Sequence, residues 1–404
     1  MMQLSETKQN AHYTYKFNKT LGRHGWLRLT PAYSVRLVEE ILDELDYTPK
    51  CVFEPFSGTG TTELVCANRG IPSFAYEINP FLAWFGNVKL RSYSENTIQD
   101  FLNQSIALIS NLNSVKNYKL PPIFNIERWW NKEQLVFLGR LKKRISGLKN
   151  SEVKDLVKVA FCRVIIELSN ASFNHVSTSF SDGSENVYYD GLGEELFMSV
   201  CEMIADTAKI SPKVASKVYN RDSKDLLTLD MLASYDTVIT SPPYPNRISY
   251  IRELRPYMYW LDYLSSSDDA SDLDWRTIGG TWGKATSLLA SWDERTKKLP
   301  CYLYEIVEKI AAADNKSSKL MANYVLKYFS DMYEHLQAVY QGLQSGGKVF
   351  YIIGNSNFYG VTVPADRIYI DMMQDIGFVA ADSRIVRKRN CNKQLFEYVV
   401  TARK

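Results

Sequence analysis

The sequence predicts an α/β protein built on a doubly wound, mostly parallel sheet with a C-terminal antiparallel hairpin, and three stretches predict it. Near the N-terminus the apolar run Cys51-Val52-Phe53 leads through Glu54-Pro55 into a glycine turn, a helical segment and a second short strand that ends in Glu77. Strand, glycine turn, helix, strand, acid is the opening of such a fold. In the middle, Thr237-Val238-Ile239 runs into Ser241-Pro242-Pro243-Tyr244, where two prolines end a strand. At the end of the chain, two apolar runs face each other across Asn390-Cys391-Asn392, which is a hairpin signal.

The elements follow in order. Residues 1–29 read as a polar and aromatic arm. Thr30-Pro31 reads as an N-cap and first helical residue, and Val35, Val38, Ile41, Leu42 and Leu45 recur at helical spacing, so 31–46 is expected to be a helix. The first strand is followed by Gly58-Thr59-Gly60, a helix from Thr61 to Asn68, and the strand Ser73 to Tyr76. A long stretch then interrupts the sheet pattern, longer than any crossover needs. It reads as an inserted helical region. Asn131 and Gln134 form a capping-box pattern ahead of 132–146, and 153–168 is densely apolar. Residues 172–194, rich in Ser, Asn, Asp, Gly and Tyr, read as a loop. The sheet resumes at Lys217-Val218-Tyr219, followed by Asp222, and then at 237–239. A second insertion over 262–318 holds an acidic low-complexity patch (Ser265 to Asp269) and Trp275, Trp282 and Trp292. A long helix over 319–343, Gly346-Gly347, a strand from Lys348 to Ile353, a helix near 366–376 and strands at 379–388 and 396–402 complete the pattern. The resulting boundaries are 1–84 and 214–261 and 319–404 for the parts of the sheet domain, with insertions at 85–213 and 262–318.

Composition narrows the class. In 404 residues, 45% are hydrophobic and 23% charged, ordinary for a folded chain. The 48 Lys+Arg against 45 Asp+Glu give a net +3, which excludes a polybasic coat or an acidic tail but leaves room for a local basic groove. The six cysteines (51, 66, 162, 201, 301, 391) contain no CxxC, and the four histidines (12, 24, 175, 335) are scattered. This spacing predicts neither a metal site nor a disulfide scaffold. The start is polar and no apolar run is long enough for a membrane helix, so a cytoplasmic protein is expected.

Four constellations carry chemistry. In Glu54-Pro55-Phe56-Ser57-Gly58-Thr59-Gly60-Thr61-Thr62 the glycines let a ligand approach the backbone and the helix start offers free N–H groups. The string lacks both the third glycine of a dinucleotide fingerprint and the lysine of a triphosphate loop. A tight turn with no ligand is the plain alternative. Glu77, in Tyr76-Glu77-Ile78-Asn79-Pro80, is placed to accept both hydroxyls of a ribose; alone it could equally be a solvated loop acid. Asp222-Ser223 after the third strand could meet an adenine amino group, or serve as a helix N-cap. Thr240-Ser241-Pro242-Pro243-Tyr244 fixes an extended turn with carbonyl acceptors, a hydroxyl and a flat ring, suited to a planar base with an exocyclic amine.

At this point the sequence resembles the S-adenosylmethionine-dependent DNA amino-methyltransferases, which modify cytosine N4 or adenine N6. The likeness rests on PFSGTGTT (55–62), EINP (77–80) and TSPPY (240–244), with weaker support from the helix-Gly-Gly-strand pattern of 319–353 and from the terminal FEYVVTARK. It does not cover the insertions. Where many members carry a basic residue before the first strand, this chain has Tyr33 in Thr30-Pro31-Ala32-Tyr33. The resemblance implies a seven-stranded methyltransferase sheet with S-adenosylmethionine as cofactor. It implies a cofactor wall of Pro55, Phe56, Ser57, Gly58, Thr59, Gly60, Thr61, Glu77, Asn79, Asp222 and Ser223, with Thr30 from the arm, and Ser241, Pro242, Pro243 and Tyr244 as the catalytic motif.

The chemistry implied is direct transfer to the base's own amine, oriented by Ser241 Oγ and the Pro242 carbonyl, with Tyr244 stacked on a flipped base. Ser241 at the first motif position favours cytosine N4 over adenine N6, by the tendency within that family. Double-stranded DNA is the expected partner, with a cognate restriction endonuclease as a second one. Its grip is expected from Arg247, Arg252 and Arg255 just after the motif and from Arg387 and Arg389 on the terminal hairpin, within a basic run that includes Arg384, Lys388 and Lys393. The run Arg140, Lys142, Lys143, Arg144 reads rather as a solvated face. An RNA-base methyltransferase of the same fold and a nucleic-acid-binding subunit without catalysis are the competing readings.

Overall fold

Strands covered on both faces need apolar side chains on both, and the short runs named above supply them. The computed structural model describes residues 11–27, 29, 32–172, 179–180, 189–225, 234–246, 248–293, 298–389 and 394–404. Seven strands form one sheet: β1 (Val52–Glu54), β2 (Ser73–Tyr76), β3 (Ser216–Tyr219), β4 (Tyr235–Thr240), β5 (Leu343–Gly354), β6 (Val379–Lys388) and β7 (Phe396–Arg403). Their order is β6-β7-β5-β4-β1-β2-β3. The pairs β1–β2, β1–β4, β2–β3 and β4–β5 are parallel. The terminal hairpin β6–β7 is antiparallel and joins β5 antiparallel.

The period-2 alternation of strand side chains divides the core in two. Phe53, Val238, Tyr351 and Val400 face one side; Val52, Ile239, Ile352 and Val399 face the other. The described residues include twelve longer helices: α1 (Val35–Asp43), α2 (Thr61–Arg69), α3 (Pro80–Leu90), α4 (Glu95–Ile109), α5 (Lys132–Ser146), α6 (Ser151–Glu167), α7 (Leu192–Ala208), α8 (Tyr250–Trp260), α9 (Ser267–Arg276), α10 (Cys301–Ala311), α11 (Ser318–Gly342) and α12 (Ala365–Ile376). The first face is covered by α11 and α12 and the second by α1 and α2. A third core, around Trp26, Trp130 and Trp260, is built by the N-terminal arm, α3 to α7 and α8. The helix that follows the Pro-Pro turn therefore shares its core with the first insertion. Among the described residues no helix is long and apolar enough to cross a membrane.

Local rules explain most element ends. Gly70 ends α2 in a left-handed conformation, and the capping box of Asn131 and Gln134 starts α5. Other elements differ from expectation. Helix α1 starts at Val35 rather than 31, because Asn18, far back in the arm, accepts from the Val35 N–H at 2.9 Å; Thr30 and Pro31 lie outside the described residues. The acidic Ser265–Asp269 patch opens a helix: Ser266 caps α9 and Asp269 completes its capping box. Strand β5 begins at Leu343, ahead of Gly346-Gly347. Residue 85 falls inside α3, which packs on β3 so closely that a Cβ at Gly86 would meet Val218 Cγ2 at 2.8 Å. The loop expected at 172–194 lies largely outside the described residues; α7 begins within it, at Leu192.

Candidate active site

Chain order reverses between β1 and β4: β2 and β3 continue to one side of β1, while β4 and β5 lie on the other. Ligands of open α/β sheets sit at the carboxyl ends of strands at such a switch point. A cavity of about 590 Å³ opens there. Its wall includes Pro55, Phe56, Ser57, Gly58, Thr59, Glu77, Asn79, Asp222, Ser223, all of Ser241–Tyr244, and Arg387 and Arg389. Motifs separated by most of the chain are thus brought to one place.

The glycine turn is held from below. Gly58 and Gly60 have φ of +53° and +70°, a region that side chains with a Cβ rarely adopt. Ser57 Oγ donates to Glu63, Thr59 and Thr61 share a hydrogen bond, and the buried Lys89 ammonium donates to Thr59 O at 2.6 Å. Burial pushes the Lys89 amine down to about 7 and the Glu63 carboxyl up to about 8. Gly60 and Thr61 do not line the cavity; the chain turns inward there to start α2, and their part is to shape the turn.

Glu77 is 8% exposed. Its Oε2 accepts from Gly58 N and its Oε1 from Asn79 N, each at 2.8 Å. A carboxylate has about four acceptor sites, so two remain for a diol. Burial pushes its carboxyl up to about 7. Asp222 Oδ1 accepts from Lys224 N at 3.0 Å, so it organises a turn while also lining the cavity. Next to it, His335 bridges Ser223 O (2.9 Å) and the Tyr351 hydroxyl (2.8 Å) and packs on the Phe56 ring at 4.7 Å. Burial lowers its imidazole to about 4, so it is neutral scaffolding. A diol acceptor, a flat aromatic wall and a further carboxylate fit the nucleoside part of S-adenosylmethionine.

Glu54 closes this half of the site. Fully buried, it accepts from Phe56 N at 2.9 Å, from the Tyr33 and Thr62 hydroxyls at 2.8 and 2.9 Å, and from Thr240. One carboxylate thereby ties the arm, the glycine turn, α2 and the end of β4 together. Tyr33 lines the cavity as well.

On the other side stands the Pro-Pro turn. Ser241 Oγ donates to Ile352 O of β5 at 3.2 Å. Pro243 O accepts from the Tyr328 hydroxyl at 2.7 Å. The Tyr244 hydroxyl donates to Glu397 Oε1 at 2.7 Å, and Arg387 donates twice to the same carboxylate, at 2.7 and 3.1 Å. The Arg389 guanidinium lies over the Tyr244 ring at 4.8 Å and donates to Asn355 O. The register sets this up, because Glu397 of β7 pairs with Gly354 of β5, where a Cβ would meet Tyr244 Cδ2 at 2.9 Å. Burial and the Glu397 charge hold the Tyr244 phenol well above its usual range.

The five arginines assigned to DNA fall into different surroundings. Arg387 and Arg389 brace Tyr244 as described. Arg255 lies over the Trp282 ring at 4.7 Å and donates to Arg252 O. Arg252 is exposed on α8 and outside the cavity, and Arg247 lies outside the described residues, as does Lys393. In the 140–144 run, Arg140 bonds Asn113, Lys142 pairs with Asp262, and Arg144 donates to Ser110 O and Ala107 O. Sequence reasoning gave no role to Glu54, which it placed at the head of the glycine turn, and missed His335 and Glu397. The first and last carried a signal: an acid at the end of an apolar run, and one inside Phe396-Glu397-Tyr398-Val399-Val400. Among the described residues no three His, Cys, Asp or Glu are grouped to hold a metal.

A sheet of this order, with the glycine turn and Glu77 on one side of the switch point and the SPPY turn on the other, defines a methyltransferase. Over most of its length the chain is similar to curated proteins named Type II methyltransferases. It is 22% identical to the Type II methyltransferase M.MvaI of Kocuria varians, over 84% of this chain and 77% of that one. It is 21% identical to the Type II methyltransferase M.AvaI of Anabaena variabilis, over 93% and 83%, and 20% identical to the Type II methyltransferase M.BsoBI of Geobacillus stearothermophilus, over 98% and 86%. No family model matches the sequence. Among solved structures, the rRNA methyltransferase AviRa of Streptomyces viridochromogenes aligns over 92% of this chain and 86% of that one at 12% identity, with a TM-score of 0.30, a likeness too slight to bear on fold or function.

Proposed function

We propose that this protein is a site-specific DNA methyltransferase that transfers a methyl group from S-adenosylmethionine to the exocyclic amine of a flipped base, cytosine N4, within a restriction-modification or other defence system of the cytoplasm. The observation that carries the reading is Ser241. Its hydroxyl lies 3.2 Å from Ile352 O and lines the cavity, and a hydroxyl that gives its proton to the protein keeps lone pairs with which to accept from a ligand. The exocyclic amine of a base is a donor that suits such an oxygen.

S-adenosylmethionine, when bound, supplies a methyl group already activated on a sulfonium. The residues of the chain do the rest by placement. Glu77 would hold the ribose hydroxyls, Phe56 would cover the adenine, and Asp222 would meet its amino group. Ser241 Oγ and the Pro242 carbonyl accept the two hydrogens of the base's amine and draw its lone pair out of conjugation with the ring. Tyr244, fixed by Glu397 and Arg389, stacks on the flipped base, a contact worth about 1–3 kcal/mol. Holding amine and methyl in line supplies much of the rate. Ser241, rather than Asp or Asn, favours cytosine N4 by the tendency of the family resembled. The Type II names of the relatives support a role beside a cognate endonuclease. Incubating the protein with tritiated S-adenosylmethionine and, in parallel, unmodified double-stranded DNA or RNA tests this reading. Label in DNA supports it; label in RNA alone, or in neither, refutes it.

A further inference from the structure

We propose that Arg276, at the end of α9 in the second insertion, binds a DNA backbone phosphate beside the flipped nucleotide. The inference rests on the DNA reading above and deepens it. Three observations carry it.

The first is position. Arg276, Thr277 and Ile278 line the same cavity as Ser241–Tyr244. A Cβ on Gly279 would lie 3.9 Å from the Pro243 Cβ and 3.5 Å from the Tyr324 hydroxyl, so this segment borders the side of the Pro-Pro turn where the base enters.

The second is rigidity. Asp274, 1% exposed, accepts from Trp282 N at 2.8 Å and from the Ser249 hydroxyl. Ser249 in turn caps α8 by accepting from Arg252 N at 3.1 Å. One buried carboxylate thus joins α9, the loop after it and the helix that follows the Pro-Pro turn. Burial raises the Asp274 carboxyl, and these donors oppose that. The insertion is a wall of the pocket, and Arg276 stands on a fixed mount.

The third is availability. Among the described residues the Arg276 guanidinium makes no hydrogen bond or ion pair, and it is exposed. Arg255, Arg387 and Arg389 all have protein partners. A helix C-terminus favours a cation, which steadies Arg276 where it is. When a base rotates into a pocket its phosphates stay at the mouth. A guanidinium fork matches a phosphate and forms charge-assisted, bidentate bonds to it.

The test is steady-state methyl transfer from tritiated S-adenosylmethionine to unmethylated plasmid DNA at several salt concentrations, with cofactor affinity measured by calorimetry. For Arg276→Ala, KM for DNA rises several-fold at low salt, while kcat and cofactor affinity stay within about twofold of the parent. The salt dependence of KM loses a slope of about 0.9, the share of one phosphate, so raising salt from about 50 to about 200 mM costs about 3.5-fold less than in the parent. Arg276→Lys keeps the slope, since it keeps the charge. If the parent methylates DNA and Arg276→Ala shows the parental slope, the phosphate assignment is wrong while the function stands. A parent that methylates no DNA sinks both.

Discussion

Glu77 spends one lone pair of each oxygen on a backbone amide, and the proposed function gives what remains to the ribose hydroxyls. Replacing it with Ala removes a charged acceptor for two hydroxyls. Cofactor affinity then falls by about 1.5–3 kcal/mol, read by calorimetry; unchanged affinity means the ribose sits elsewhere. Its carboxyl is raised to about 7 from 4.5. A raised folded value means that its contribution to stability is full below about 4.5 and is lost as the pH rises through about 7. Cofactor binding has the opposite sign, because the hydroxyls need the ionised acceptor. Affinity therefore weakens as pH falls below about 7, by up to about tenfold per unit, and Glu77→Ala flattens this dependence. On the facing wall, Ser241→Ala and Tyr244→Ala leave cofactor affinity near parental and lower methyl transfer strongly. Tyr244→Phe keeps the ring but loses the bond to Glu397, so it falls between parent and Tyr244→Ala. Parental rates in either alanine variant place the base pocket elsewhere.

Elements are tied together by a few buried charges. Arg23, 5% exposed, donates to Lys89 O and Arg91 O at the end of α3 and to Thr207 O and Ala208 O at the end of α7. It lies over the Trp26 and Tyr93 rings at 5.5 Å. A cation there answers the negative ends of two helices and satisfies carbonyls that have no helical partner. Arg23→Ala leaves those carbonyls buried and unpaired, and costs about 3 kcal/mol in chemical denaturation; a loss under about 1 kcal/mol contradicts the clamp. What was legible in the sequence follows the same division between local and distant causes. The glycine turn, the Pro-Pro turn, Gly70 and the Asn131 capping box use residues whose backbone demands are local, so each shows in a window of a few residues. Glu397 reaches Tyr244 only because β7 pairs with β5 in one register. His335 reads as one more residue on an amphipathic helix until α11 packs against Ser223 and Tyr351. The start of α1 depends on Asn18, and a nearby Thr-Pro pair suggested an earlier one. The second insertion carried no sign of Asp274 joining it to Ser249.

Across the whole molecule, the sheet reversal between β1 and β4 opens a cavity with a buried carboxylate and an aromatic ring on one wall and the Pro-Pro turn with a braced tyrosine on the other, which the proposed function assigns to a nucleoside and a base. The first insertion shares its core with α8, and the second reaches the same helix through Asp274, so both insertions brace the helix that follows the Pro-Pro turn. The central claim is that the amine of a DNA base receives the methyl group. Its most direct test is to digest genomic DNA from a non-methylating host expressing this protein to nucleosides and separate them by mass spectrometry. The account predicts N4-methylcytosine, absent from the same host expressing Ser241→Ala. N6-methyladenine in its place would overturn the choice of base. DNA in which no exocyclic amine carries a methyl group, from a host making the folded protein, would contradict the account itself.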